Sequence, residues 1–278
     1  MLFFEKHYIW MVLCMGFAFS NLQADMVKGV VSAVQPDEGT LVFKDADGKT
    51  QEYFVGAGDL QAGYVGKTVR GESLKSGKSL RLENIWPNDE QSAKAVQLAT
   101  NAIVDDTARR SRGSVFRKKG EAIPPFALWN QYGDLVRAEN LKGKRLVLNF
   151  IFTRCKNPEM CPRQSTQMAK LQKDLSVKKI PDVQFLTITF DPDYDTPGIL
   201  KSYADAREVD GSNYFFLTGP KEQINALMRQ FGILTVREDG TINHNVATLL
   251  VGADGKILYR RDGPVWKSED FISQLEKK

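Results

Sequence analysis

Past residue 24 the chain first alternates apolar and polar positions over short stretches. Val27-Lys28-Gly29-Val30-Val31-Ser32-Ala33-Val34 reads as a strand, ended by Pro36-Asp37-Glu38-Gly39. Leu41-Val42-Phe43-Lys44, an Asp47-Gly48 turn and Gln51-Glu52-Tyr53-Phe54-Val55 form a hairpin signal. Val65–Gly71 and Ser79–Ile85 supply two further strands. Five short strands in so few residues suit a small closed barrel of OB-like type over 25–87. That stretch holds no Cys and no His, so it reads as a spacer or docking module.

The period then lengthens. Ala93, Val96, Ala99, Ile103 and Val104 recur at helical spacing, and 88–120 reads as a helical, basic linker. From about residue 121 the pattern is α/β. Arg145–Phe152 is a nearly unbroken apolar run, as a strand covered on both faces should be. Pro162–Leu175 carries Met168, Leu171 and Leu175 on one helical stripe. Val183–Phe190 is a second buried strand, and Thr196-Pro197 supplies a cap and a first-turn proline for another helix. Pro220 opens a helix that Gly232 stops, and Val246–Val251 with Ile257–Tyr259 closes a hairpin across Ala253-Asp254-Gly255-Lys256. The order is ββαβα-α-ββ, with a cysteine at the end of the first buried strand. It predicts a thioredoxin-like domain over 121–278.

Residues 1–24 read differently. Lys6 and His7 precede an apolar run from Tyr8 to Phe19, and Leu22-Gln23-Ala24 offers a small-residue cleavage site before Asp25. A dozen apolar residues suit a signal peptide and fall short of the roughly 20 a membrane span needs. The expectation is a periplasmic or otherwise exported protein, with an uncleaved membrane anchor as the alternative.

Composition narrows the chemistry. The chain has 278 residues, 42% hydrophobic and 26% charged, with a net charge of +4, so it is globular rather than disordered. The one basic cluster, Arg109, Arg110, Arg112, Arg117, Lys118 and Lys119, lacks interleaved aromatics, which argues against nucleic acid; it reads as a solvated linker or, more sharply, as a contact for an anionic membrane surface or an acidic partner. Three cysteines and two histidines exclude a disulfide-stapled or multi-zinc scaffold. Without the leader, only Cys155, Cys161 and His244 remain.

Cys155 leaves the carboxyl end of the buried strand, where open α/β sheets place ligands. Cys161 precedes Pro162 at a helix start, so its sulfur is expected to be the acidic one, in the field of the helix N-terminus, Arg154 and Arg163. Five intervening residues leave slack to close a disulfide. Two thiolates and the His244 imidazole would suit copper in either oxidation state, or a zinc site with an open position.

With these residues in place, the sequence resembles the Sco/SenC family of copper-handling proteins over about 121–266. The resemblance is carried in order by Leu141-Lys142-Gly143-Lys144, Phe152-Thr153-Arg154-Cys155, Cys161-Pro162, Phe190–Pro197 and His244 before Val246–Val251. It implies copper as the bound metal, with Cys155, Cys161 and His244 as ligands and Asp191 and Asp195 as acidic neighbours or as turn and helix caps. It also implies a copper-receiving cytochrome oxidase subunit as partner. The family usually has three residues between its cysteines, whereas this chain has five. Met160 is a further candidate thioether donor.

Two function classes stay open. One is a copper chaperone for the binuclear copper centre of a cytochrome oxidase. The other is a thiol–disulfide oxidoreductase, with Cys155 and Cys161 catalytic and a partner dithiol protein as substrate. A peroxidase is weaker, since Thr153 stands two rather than three positions before Cys155.

Overall fold

A computed structural model of the chain describes residues 24–77, 79–238 and 241–277. The export-signal expectation falls on residues outside that range. Among the described residues, no helix is long and apolar enough to cross a membrane.

The alternating stretches become β1 (Asp25–Gln35), β2 (Thr40–Lys44), β3 (Thr50–Phe54), β4 (Thr68–Ser76) and β5 (Ser79–Pro87). They close into a barrel of order β1-β2-β3-β5-β4, with β4 paired back onto β1. Val31, Leu41, Phe43, Tyr64, Val69, Leu82 and Ile85 fill it. Gly29 lets β1 press against β2: a Cβ there would lie 2.3 Å from the Lys44 carbonyl oxygen. One helix the alternation did not predict, α1 (Ala57–Gln61), crosses between β3 and β4.

The helical linker is α2 (Glu90–Arg110), capped by Asp89, whose carboxylate accepts from the Ser92 amide at 2.7 Å. Its buried stripe is Val96, Thr100, Ile103 and Thr107 rather than the purely apolar set the spacing suggested. The two threonines face glutamines: Gln223 donates to Thr100 Oγ1 at 2.8 Å and Gln230 to Thr107 Oγ1 at 2.9 Å. Much of the basic cluster is spent locally. Arg117 reaches Asp106 and Gln230, Arg110 pairs with Glu121, and Arg109 pairs with Asp106.

The remaining strands build one mixed sheet. They are β6 (Ala127–Asn130), β7 (Leu135–Arg137), β8 (Arg145–Ile151), β9 (Val183–Thr189) and β10 (Tyr214–Thr218), then β13 (Ala247–Val251) and β14 (Ile257–Asp262). Their order is β14-β13-β8-β9-β10-β6-β7, with β8, β9 and β10 mutually parallel. The small hairpin β11 (Thr235–Glu238) and β12 (Thr241–His244) stands apart from it. The helices are α3 (Cys161–Val177), α4 (Pro197–Asp205), α5 (Lys221–Phe231) and α6 (Ser268–Leu275). This is the α/β, thioredoxin-like plan expected. The pattern reading nevertheless left out β10, the β11–β12 hairpin and α6. β8 and β9 are buried almost throughout, and the amide of Asn149 is satisfied by Gln164 at 3.3 Å and Thr187 at 2.7 Å.

The barrel rests on α4. A Cβ on Gly58 would lie 1.8 Å from the Gly198 carbonyl oxygen, and one on Gly198 would lie 2.0 Å from Asp59 Oδ1. Only glycine on both sides allows this crossing. Lys201 of α4 adds a hydrogen bond to Gln61 of α1 at 3.1 Å.

Candidate metal centre

Parallel β8 and β9 end at the same edge of the sheet, and β13, antiparallel to β8, begins there. Three connections therefore meet: the loop 152–160 after β8, the segment 190–196 after β9, and the turn from β12 into β13. Each carries part of the site.

The first loop bears Cys155, which is partly buried, and returns to Cys161 at the first position of α3. Asn157 shapes the return: its side chain accepts from the Glu159 amide at 3.0 Å and its carbonyl from the Met160 amide at 3.2 Å. The two extra residues are absorbed in this turn, so the longer spacing still brings the sulfurs together. Cys161 is fully buried.

His244 ends β12. Its backbone is tied down by the next residue: Asn245 accepts from the Leu234 amide at 2.7 Å and donates to the Gly232 carbonyl at 2.9 Å. Gly232 itself ends α5 at φ 66°. The imidazole packs beside Phe190 and Phe152, with ring centroids 4.6 and 5.8 Å away. Its Nδ1 lies 3.0 Å from the Asn245 carbonyl oxygen, which can only accept, so Nδ1 carries the proton. In the neutral ring this leaves the lone pair on Nε2, which lies 3.5 Å from Cys161 Sγ. The ligand atoms of Cys155, Cys161 and His244 all lie within 4.8 Å of one another. All three residues singled out from the sequence are thus brought together. Two soft sulfurs and one imidazole nitrogen fit a copper ion or a zinc ion by donor chemistry alone.

The expectation about acidity is reversed. Cys155, not Cys161, is the acidic thiol, lowered to about 5 by hydrogen bonding from the Cys161 thiol and from the Cys161 and Asn157 backbone. Burial pushes the Cys161 thiol far up. The helix N-terminal amide does stabilise a thiolate, but the sulfur that receives it is six residues upstream. Nor do the arginines act as free cations there. Arg154 is paired with Asp191 and lies over the Tyr194 ring at 4.2 Å, and Arg163 is paired with Glu159.

Asp195 is more than a cap. It is fully buried and accepts from the Thr153 amide at 3.2 Å and from the hydroxyls of Thr153 and Thr189. It thereby fastens the cysteine loop to the end of β9. Thr196, next to it, is the residue that caps α4, through the Ile199 amide. Burial raises the Asp195 carboxyl to about 6. The acidic, turn-rich segment was visible in the sequence, but its grip on Thr153 was not.

The SCO1/SenC family profile matches residues 116–277. The SCO1 protein homolog of Bacillus subtilis is 34% identical over 145 residues, covering 51% of this chain and 74% of that one. Among solved structures, BsSco, described as having a disulfide switch and as a member of the Sco family of cytochrome c oxidase assembly proteins, is 30% identical with a TM-score of 0.51. That likeness covers 58% of this chain and 95% of BsSco. ScoI of Arabidopsis thaliana, solved with copper bound, has a TM-score of 0.51 at 20% identity, over 57% of this chain and all of that one, a likeness of fold. The matched region begins after α2 and contains both cysteines, His244 and the whole mixed sheet. This chain belongs to the SCO1/SenC family.

Proposed function

We propose that this protein binds one copper ion through Cys155, Cys161 and His244 and delivers it to the binuclear copper centre of a cytochrome oxidase. The observation that carries the reading is the imidazole: with Nδ1 held at the Asn245 carbonyl oxygen, Nε2 is aimed at a cysteine sulfur. A metal ligand requires such a nitrogen lone pair beside the thiolates, whereas a dithiol exchanger would use it only as a proton acceptor. Family membership supports copper as the metal, and two thiolates with one imidazole can hold both copper(I) and copper(II). The partly buried Cys155 gives a receiving protein a sulfur to approach first, with Cys161 and His244 behind it. Among the described residues Arg112, Lys118 and Lys119 have no acidic partner, and they are available for an anionic membrane surface. The apolar stretch at residues 8–19 supports export, to a periplasm or comparable compartment. The barrel is read as an OB-like module, because a helix lies between β3 and β4 and β3 pairs parallel to β5. Its boundary at 87 and that of the linker at 120 are proposed on the same footing.

The test is metal titration of reduced, metal-free protein. The copper reading expects one copper(I) per chain, lost in Cys155→Ser and in Cys161→Ser. Protein that takes up no copper in competition with a copper(I) chelator overturns it.

A second reading is favoured by one specific observation, the acidic Cys155 beside a buried thiol. In an oxidoreductase the Cys155 thiolate attacks one sulfur of a partner disulfide and the other leaves as thiolate. Cys161 then passes its proton to His244 Nε2 and attacks the mixed disulfide; the partner leaves with both sulfurs reduced, one protonated by that proton and the other by water, and Cys155–Cys161 is oxidised. Exchange that proceeds at full rate in a chain unable to bind copper would select this reading.

A further inference from the structure

A cavity of about 690 Å³ lies at the pole of the sheet opposite the cysteines. Leu146, near the start of β8, and Gly252–Gly255, in the β13–β14 turn, form one side, roughly a strand length (~20 Å) from the metal centre. The other side is α2, which precedes the region shared with the family. The cavity is therefore created by the segment this chain adds.

Its walls are largely apolar: Leu98, Ala99, Ile123, Phe126, Leu141 and Leu146. Leu98 is 61% exposed there, an unusual place for a leucine on a helix whose opposite stripe is buried. The charged residues at the rim are unbalanced. Lys94, Arg137, Lys142 and Lys144 face Glu139 and Asp254. Glu139 is paired with Arg137, and Asp254 lies 3.7 Å from Lys256 while capping its own turn. Among the described residues, Lys94, Lys142 and Lys144 have no acidic partner. An apolar cleft of this size with a few convergent charges of one sign is the usual form of a small-molecule site.

We propose that this cavity binds a single-chain anionic amphiphile, a fatty-acid carboxylate, with its acyl chain against Leu98, Ile123 and Leu141 and its head among Lys94, Lys142 and Lys144. A peptide would need backbone hydrogen-bonding partners along the groove, and the lining offers mainly side-chain carbon. A neutral lipid would leave the three ammonium groups unanswered.

The test uses full-length, copper-free and copper-loaded protein and the fluorescent fatty acid 11-(dansylamino)undecanoic acid. Saturable, one-to-one binding is expected, with displacement by dodecanoate. Dodecanol should displace at least about tenfold more weakly, because it lacks the charge. Lys142→Glu with Lys144→Glu should weaken binding by about tenfold or more, and Leu98→Glu likewise, with copper stoichiometry unchanged. Lys142, Lys144 and Leu98 are exposed, so these variants should fold, and the dodecanol comparison on unaltered protein stands without them. Absence of saturable binding overturns the proposal. So does equal displacement by dodecanol, or binding seen only on vesicles of anionic phospholipid and never to monomeric fatty acid.

Discussion

His244 Nε2 stands 3.5 Å from Cys161 Sγ, while Nδ1 on the same ring is held 3.0 Å from the carbonyl oxygen of Asn245. That pair of contacts fixes which nitrogen is free, and it places the free one against the most buried sulfur of the site. Copper(I) is content with two thiolates, whereas copper(II) prefers nitrogen and higher coordination. His244→Ala should therefore leave much of the copper(I) affinity in place. Copper(II) affinity should fall by more than the roughly 10–100-fold that losing a ligand's hydrogen-bond partner costs. Chelator competition for copper(I) and titration by absorption for copper(II) read the two values separately.

The acidic sulfur gives a second expectation. Cys155 titrates at about 5, chiefly because the Cys161 thiol donates to it, so at neutral pH it is a thiolate. Iodoacetamide should label Cys155 with a pH midpoint near that value and Cys161 only slowly. In Cys161→Ala the principal donor is gone, and the midpoint should move up toward the roughly 8.5 of a free thiol. Mass spectrometry of labelled peptides across the pH range measures both.

Asp59 makes the junction of barrel and α4 sensitive to pH. Burial raises its carboxyl from 3.8 to about 7. A folded-state value above the unfolded one means the native chain holds the proton more tightly. Stability from this group is present below about pH 4 and is lost as pH rises toward 7. Urea midpoints of the native chain and of Asp59→Asn should converge at low pH. They should separate as pH rises from about 4 to 7, with the variant the more stable and the gap constant above neutrality. A variant that is equally destabilised at every pH would show that the carboxylate has another role.

The glycine crossing predicts a steric effect. Gly58→Val would place its Cβ 1.8 Å from the Gly198 carbonyl oxygen, which is backbone and cannot swing aside. A cost of about 1–3 kcal/mol is expected, with the barrel pushed off α4. Limited proteolysis should then cut between the barrel and the rest. Because α4 follows directly on Asp195 and its hold on Thr153, the same variant should also bind copper less tightly.

What the sequence revealed and what it concealed have the same physical origin. Cys155, Cys161 and His244 were legible because each sits beside a strong local signal: a strand end, a helix-starting proline, a strand start. Their convergence follows from parallel β8 and β9 sharing one edge, which the strand order implies. β10 was missed because Tyr214–Thr218 is five residues long, and the pairing that defines it is with distant strands. The β11–β12 hairpin was passed over although Asp239-Gly240 and the alternation of Leu234-Thr235-Val236-Arg237 signal it, because its strands are only four residues long and mostly polar. The acidity was misassigned because a helix start says that free amides exist, not which sulfur they meet. Asp195 read as a possible cap since its neighbours are turn residues, and its partners lie 42 residues upstream and 6 upstream, at Thr153 and Thr189.

The most direct test of the account is X-ray absorption at the copper edge of protein loaded with one copper ion, native and His244→Ala. In the copper(II) form the native spectrum should require two sulfur scatterers and an imidazole nitrogen, and the variant should lose the imidazole signature while retaining sulfur. A copper shell without sulfur, or an imidazole contribution undiminished in His244→Ala, would contradict the site.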